Sequence, residues 1–274
     1  MSTCYRHPDR PTGVRCVRCG RPICPDCMNP AAVGFQCPDD VRAGNAGVRR
    51  PSRRAAVRRA GRRWGPVTLS LIALNVALFL LTAGLAVLGG RTPLDNWSSR
   101  LFQELAQVPV LVDAGQWWRP LTAAFLHYGL LHLALNMLAL LVFGSELERT
   151  LGRARFLTVY LVSVLGGAAS VQLFEVPFGQ VAGASTAIYG LMGALGVVLL
   201  HQRQELRGLL TLLAVNLLIS FLPGVSLAGH VGGLVAGAAA TGVLVAARRQ
   251  RPLAISGIAA LSVVLLVLVY SGLG

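Results

Sequence analysis

Beyond about residue 65 the chain is a succession of apolar blocks separated by short polar punctuation, whereas the residues before it contain no apolar block at all. Seven segments, near 66–88, 125–144, 156–176, 184–201, 207–222, 227–247 and 253–272, have the length of a bilayer-spanning helix, which needs about 20 apolar residues. The stretch from Gly89 to Pro120 is different in kind. It is amphipathic and carries Trp97, Trp117 and Trp118, so it is expected to lie in a membrane interface. The pattern predicts an all-α, polytopic helical membrane bundle preceded by a small polar module.

Composition agrees and charge adds direction. The 274 residues are 54% hydrophobic and 13% charged, and the formal charge of +14 rests wholly on arginine, since lysine is absent. Nine of the arginines fall in 41–63, directly before the first apolar block. Positive charge stays in the cytoplasm, which puts the start of the first span inside. Counting forward, Arg149, Arg153 and Arg155, then Arg203 and Arg207, then Arg248, Arg249 and Arg251 all fall on the same side. The expected topology is multi-pass in the cell membrane, with the N-terminus cytoplasmic and the C-terminus outside. No early apolar core suggests a signal peptide.

The polar module has its own logic. Residues 1–40 contain Cys4-x2-His7, Cys16-x2-Cys19, Cys24-x2-Cys27 and Cys37-x2-Asp40, eight candidate ligands and enough for two tetrahedral zinc ions. Asp39 competes with Asp40 for the eighth place. So short a segment buries little apolar surface, and metal would supply most of its folding free energy. The alternating pairs resemble a cross-braced, B-box-like zinc finger. That resemblance implies Cys4, His7, Cys24 and Cys27 on one ion, and Cys16, Cys19, Cys37 and Asp40 on the other. Protein–protein contact with a cytoplasmic partner is the expected use. Residues 41–63, free of acidic side chains and of periodicity, read as a disordered linker attracted to anionic lipid. Nothing there resembles a base-reading helix, which sets nucleic acid aside.

Chemistry concentrates in three spans. Ser185 and His230 lie near the starts of the fourth and sixth, which run in the same direction, so they sit at similar depth. A histidine within a membrane span is costly and marks function. Gly229, Gly233 and Gly237 recur every fourth residue, a stripe that admits another helix closely. Such approach brings a hydroxyl to an imidazole. Tyr189, one turn beyond Ser185, is placed either to stack on that imidazole or to serve as an ordinary core tyrosine. In the second span His132 and Asn136 share a face and can donate to an oxyanion beside the Ser185 amide. The alternative is that they bond backbone within the bundle. Without lysine, without aspartate in any span, without HExxH and without cysteine after Cys37, the chemistry that remains is a serine–histidine dyad lacking an acidic third member.

Trp118-Arg119, His127-x4-His132-x3-Asn136, Gly144-x3-Glu148, Gly183-Ala-Ser185 with Tyr189, and Gly229-His230-x2-Gly233-x3-Gly237 together resemble the rhomboid intramembrane serine proteases. The resemblance implies a six-span core over 64–247, with a seventh span in 248–274. It implies Ser185 as nucleophile, His230 as general base, His132, Asn136 and the Ser185 amide as oxyanion donors, and no cofactor for catalysis. Trp118 and Arg119 would hold the first loop against the bundle. The implied substrates are transmembrane segments of membrane proteins, cut near their outer end. Thr186 departs from the family, where glycine usually follows the serine. Its branched side chain is expected either to crowd the meeting of spans four and six or to compete for the serine hydroxyl. On that account a catalytically inactive, rhomboid-like binding or adaptor protein is the alternative.

Overall fold

The computed structural model describes residues 2–46, 60–61, 63–221 and 224–271. The chain divides into two compact units, Met1–Val57 and Arg58–Gly274.

In the first unit, β1 (Ser2–Cys4) pairs antiparallel with β2 (His7–Thr12), and β3 (Asn29–Pro30) with β4 (Phe35–Gln36). Its interior consists of five buried cysteines around Ile23. A core of thiols and one isoleucine is too small to order a chain by burial alone. Helix α1 (Pro38–Ala46) follows, with Asp39 and Asp40 in its first turn, where negative charge favours the helix N-terminus. It corrects the expectation of a linker starting at residue 41, because residues 41–46 are helical. Residues 47–59 and Arg62, which hold most of the arginine run, lie outside the described residues.

The second unit opens with α2 (Pro66–Leu88). Proline in its first turn sacrifices no hydrogen bond, since those N–H groups have no helical partner anyway. Gly65, with φ of 80°, precedes it. The carboxylate of Glu148 accepts from the Val67 amide (3.1 Å), the Thr68 amide (2.8 Å) and the Thr68 hydroxyl (2.8 Å). A Cβ on Gly65 would collide with this carboxylate, so glycine is required both by conformation and by approach.

Short helices α3 (Arg100–Leu105), α4 (Pro109–Asp113) and α5 (Arg119–Thr122) form the aromatic stretch. Buried Arg119 gathers it, donating to the carbonyls of Gln103 (2.8 Å) and Ala106 (2.6 Å). Trp118 donates to the Glu104 carbonyl (3.1 Å), and Gln107 donates to the Ala168 carbonyl (3.0 Å), tying the stretch to the bundle. Trp97 and Trp117 stay exposed.

The remaining helices are α6 (Gly129–Leu151, with a π-helical turn at Leu140–Gly144), α7 (Arg153–Phe174), α8 (Ser185–His201), α9 (Arg207–Ile219), α10 (Leu227–Ala246) and α11 (Arg251–Tyr270). Each expected span contains a helix: α6 runs Gly129–Leu151 where 125–144 was expected, α8 agrees to within one residue, and α9 ends at Ile219, short of the expected 222. Two of the helices fall short of a full bilayer crossing. With 17 and 13 residues, α8 and α9 extend about 26 and about 20 Å at 1.5 Å per residue, less than the roughly 30 Å of hydrocarbon. Helix α8 begins at Ser185, just after Gly183 with its φ of 146°, and all but its last two residues are buried or partly buried. Of the long helices α7 is the most enclosed. Phe156, Val159 and Tyr160 from α7, Leu140 and Leu147 from α6, and Leu191 from α8 are fully buried at the centre. Leucines and valines such as Leu80, Leu131, Leu135, Leu218, Val263 and Val267 face outward, as lipid-facing helices require. The second unit is therefore a helical membrane bundle.

Helices α8 and α10 pack backbone to backbone. A Cβ on Gly233 would fall on the Thr186 carbonyl, and one on Gly237 on the Gly190 carbonyl. The glycine stripe thus performs the close approach inferred for it.

Candidate active site

The close crossing of α8 and α10 places the first turns of both helices side by side. Ser185 Oγ lies 2.8 Å from His230 Nε2. Ser226 caps α10 by accepting from the Gly229 amide (3.1 Å), and it donates to the Glu175 carboxylate (2.8 Å). This carboxylate anchors the histidine's helix without contacting the imidazole. Tyr189 lies flat on the His230 ring, with centroids 4.1 Å apart and planes 10° from parallel, so it stacks and is not ordinary core.

The Nδ1 edge of His230 holds a residue that the sequence did not single out. Ser220, at the C-terminal end of α9, places Oγ 2.7 Å from Nδ1 and 2.8 Å from the Tyr189 hydroxyl. Helix α9 buries none of its own residues, yet Ser220 is 2% exposed. A lone serine at the end of an apolar block carries no periodic or motif signal. Only the tertiary fold brings it to the histidine.

The second span supplies the opposite wall. His132 Nδ1 accepts from the Tyr128 amide (3.2 Å). In a neutral imidazole the nitrogen that accepts carries no proton, so the proton resides on Nε2. The point where a Gly183 Cβ would sit is 3.1 Å from His132 Nε2 and 3.3 Å from Ser185 Oγ. Glycine there, with φ of 146°, leaves open a space about 3 Å from both the serine hydroxyl and the imidazole Nε2, where a reacting atom fits. The Ser185 amide belongs to the first turn of α8, whose N–H groups have no helical acceptor.

Asn136 behaves differently from His132. Its Nδ2 donates to the His132 carbonyl (2.8 Å), the backbone bond weighed as the alternative, which leaves one N–H of the amide uncommitted among the described residues. His127 is fully buried, edge-on to His132 at 5.2 Å between ring centroids, and neither of its nitrogens has a hydrogen-bond partner among the described residues.

Thr186 meets neither expectation set for it. Its side chain occupies a recess faced by Gly167 and Gly229, where a Cβ on Gly167 would come within 2.6 Å of the Thr186 Cβ. Its hydroxyl leaves the serine alone: among the described residues Ser185 Oγ bonds His230 only.

In the first unit, Cys4, His7, Cys24 and Cys27 form one group, and Cys16, Cys19, Cys37 and Asp40 form another, with the ligand atoms of each within 4.8 Å of one another. His7 Nδ1 lies 3.8, 3.2 and 3.5 Å from the Sγ atoms of Cys4, Cys24 and Cys27. Cys19 and Cys37 Sγ are 3.7 Å apart. A tetrahedron with Zn–S of about 2.3 Å and Zn–N of about 2.0 Å has edges of about 3.5–3.8 Å, so both donor sets fit one zinc ion each. Asp39 is engaged elsewhere, accepting from Tyr5 (2.8 Å) and facing Arg21 (3.2 Å) and Arg42 (2.8 Å). The Tyr5 hydroxyl and the two guanidinium groups hold its carboxyl below the usual range. Asp40 is the residue within the group.

Apolar helices bracketing a hydrogen-bonded serine–histidine pair define a polytopic membrane protein with that pair at one end of its bundle. A Rhomboid domain family model matches residues 114–247. The Rhomboid protease GluP of Bacillus subtilis is 36% identical over 176 residues, 62% of this chain and 33% of that protein. RHOMBOID-like protein 6, mitochondrial, of Arabidopsis thaliana is 40% identical over 134 residues, 46% of this chain and 43% of that one. The Rhomboid protease AarA of Providencia stuartii is 30% identical over 201 residues, covering 63% of this chain and 70% of that protein. The chain belongs to the rhomboid family. It spans less than half the length of the Bacillus and Arabidopsis relatives.

Proposed function

We propose that this chain is an intramembrane serine endopeptidase acting on transmembrane segments of membrane proteins. The observation that carries the proposal is the 2.8 Å contact between Ser185 Oγ and His230 Nε2 at the point where α8 and α10 cross. His230 takes the hydroxyl proton as Ser185 attacks the scissile carbonyl, then delivers it to the leaving amine. The developing oxyanion is received by the His132 Nε2–H and the Ser185 amide, with the uncommitted N–H of Asn136 in support. Donors fixed before reaction need no reorganisation as charge develops, and the loss of one typically costs about 10²–10³ in rate. Water then releases the acyl group, which requires the polar end of the bundle to be wet. Two named relatives are rhomboid proteases, which supports the same reading.

In this reading the N-terminus is cytoplasmic and the active-site end of the bundle lies outside, which the arginine-flanked loops support. The first unit takes a structural role: two zinc ions, one in each four-ligand group, hold it folded as a docking module for a cytoplasmic protein. The arginine run meets anionic lipid.

The test uses the full chain, purified in detergent, with a model transmembrane substrate and a fluorophosphonate probe. Parent protein is expected to cleave and to be labelled at Ser185, while Ser185→Ala does neither. Equal cleavage by Ser185→Ala refutes the protease mechanism and leaves the binding or adaptor reading.

A further inference from the structure

The contacts of Ser220 can be solved as a proton count. A serine hydroxyl has one proton and two lone pairs. Ser220 Oγ has three partners: the Asn216 carbonyl at 3.0 Å, the Tyr189 hydroxyl at 2.8 Å and His230 Nδ1 at 2.7 Å. A carbonyl only accepts, so the single proton of Ser220 goes to Asn216. Both other contacts must then be donated to Ser220, one by the Tyr189 O–H and one by an Nδ1–H. With the imidazole proton on Nδ1, Nε2 is bare and faces Ser185. That is the tautomer a general base requires.

We infer that Ser220 is a positioning residue for the proposed reaction, holding His230 as the Nδ1–H tautomer while Tyr189 holds the ring plane. This rests on the Ser185–His230 reading and extends it by assigning the third place of the constellation. A triad ordinarily fills that place with a carboxylate. Here the groups around the ring are neutral: Tyr189 on its face, Ser220 at Nδ1 and Ser185 at Nε2. A hydroxyl accepting two hydrogen bonds fixes the tautomer without burying a second charge in a helical bundle, where an unpaired carboxylate is costly. When His230 takes the proton of Ser185, the bond from Nδ1–H to Ser220 becomes charge-assisted and strengthens as the reaction needs it.

Two measurements on the full chain in detergent test this. The first is nitrogen-15 NMR of ring-labelled histidine, with the His230 signals assigned by their loss in His230→Ala. The parent is expected to show protonated Nδ1 and bare Nε2, and Ser220→Ala a mixture of tautomers. The second is steady-state cleavage. Ser220→Ala is expected to lower kcat about 10–100-fold, a part of the 10²–10⁴ typical of general acid–base catalysis, with KM within about twofold. Ser220→Thr, which keeps the hydroxyl, is expected to restore kcat to within about threefold of the parent. An Nε2–H tautomer in the parent overturns the inference whatever the variants do, as does parental kcat in Ser220→Ala. A parent that shows the Nδ1–H tautomer yet cleaves nothing sinks the protease reading and leaves the assignment of Ser220 standing.

Discussion

At the scale of single residues, the site depends on vacancies as much as on functional groups. Gly183 leaves the space between His132 and Ser185, and Gly167 with Gly229 leaves the recess for Thr186. The second vacancy allows a residue other than glycine to follow Ser185. A Cβ at position 167 would overlap the Thr186 side chain, so Gly167→Ala is expected to destabilise the bundle by about 1–3 kcal/mol, the usual cost of overpacking. Thr186→Gly in the same chain removes the overlap and is expected to recover more than half of the loss. Thermal unfolding of parent, single and double variants in one detergent gives the coupling; strictly additive effects would mean that the two side chains do not share the recess. Ser185 and His230 were legible because matched depth, a small-residue stripe and an excluded inventory converged on them. Thr186 was legible as a departure, but the glycines that accommodate it come from α7 and α10, which a linear pattern cannot bring together. Ser220 was not legible for the same reason, and the bond from Asn136 to its own helix was visible only as one of two alternatives.

At the scale of elements, apolar block length located every span but displaced the second, expected over 125–144 and helical over Gly129–Leu151, and overran the end of the fifth. Hydropathy reports where a helix is tolerated, and it does not register where α6 starts and ends or that α9 stops before Ser220. Helix starts are set by local chemistry, and the start of α2 is set by a residue 80 positions away. Glu148 receives two first-turn amides and the Thr68 hydroxyl, tying the C-terminal end of α6 to the start of α2. Hydrogen bonds to a charged acceptor contribute more than neutral ones, and removing the acceptor strands its donors. Glu148→Ala is therefore expected to cost about 2–3 kcal/mol and Glu148→Gln about half as much, read as a fall in the thermal midpoint in detergent. Because Glu148 lies at the other end of the bundle from Ser185, whatever protein remains folded should keep the parental fluorophosphonate labelling rate. A variant as stable as the parent would remove the capping role.

At the scale of the whole molecule, two units are stabilised by different physics. The bundle buries apolar side chains among its helices. The unit Met1–Val57 has one fully buried isoleucine among five buried cysteines, and its strands are two to six residues long. Spacing alone picked out the eight candidate ligands, because CxxC-type pairs are a local signal, and the division into two groups followed the cross-braced resemblance. What spacing left open was the eighth ligand, since Asp39 and Asp40 are neighbours and only their three-dimensional partners distinguish them. Tyr5, Arg21 and Arg42 claim Asp39, whereas the Asp40 carboxylate lies 3.1 Å from Cys16 Sγ and 3.3 Å from Cys37 Sγ. Elemental analysis of the purified chain is accordingly expected to find two zinc ions in the parent and in Asp39→Asn. It should find one in Cys24→Ser, which breaks the histidine-containing group. Asp40→Asn keeps an oxygen donor but loses the charge, and is expected to hold its second ion weakly enough for a moderate chelator to strip it while the first remains. Asp39→Asn that lost an ion while Asp40→Asn kept both under chelator would reverse the assignment. Loss of both ions from Cys24→Ser would instead show that the groups fold as one cooperative unit, the outcome expected if each ion's binding free energy supplies folding that the other site requires.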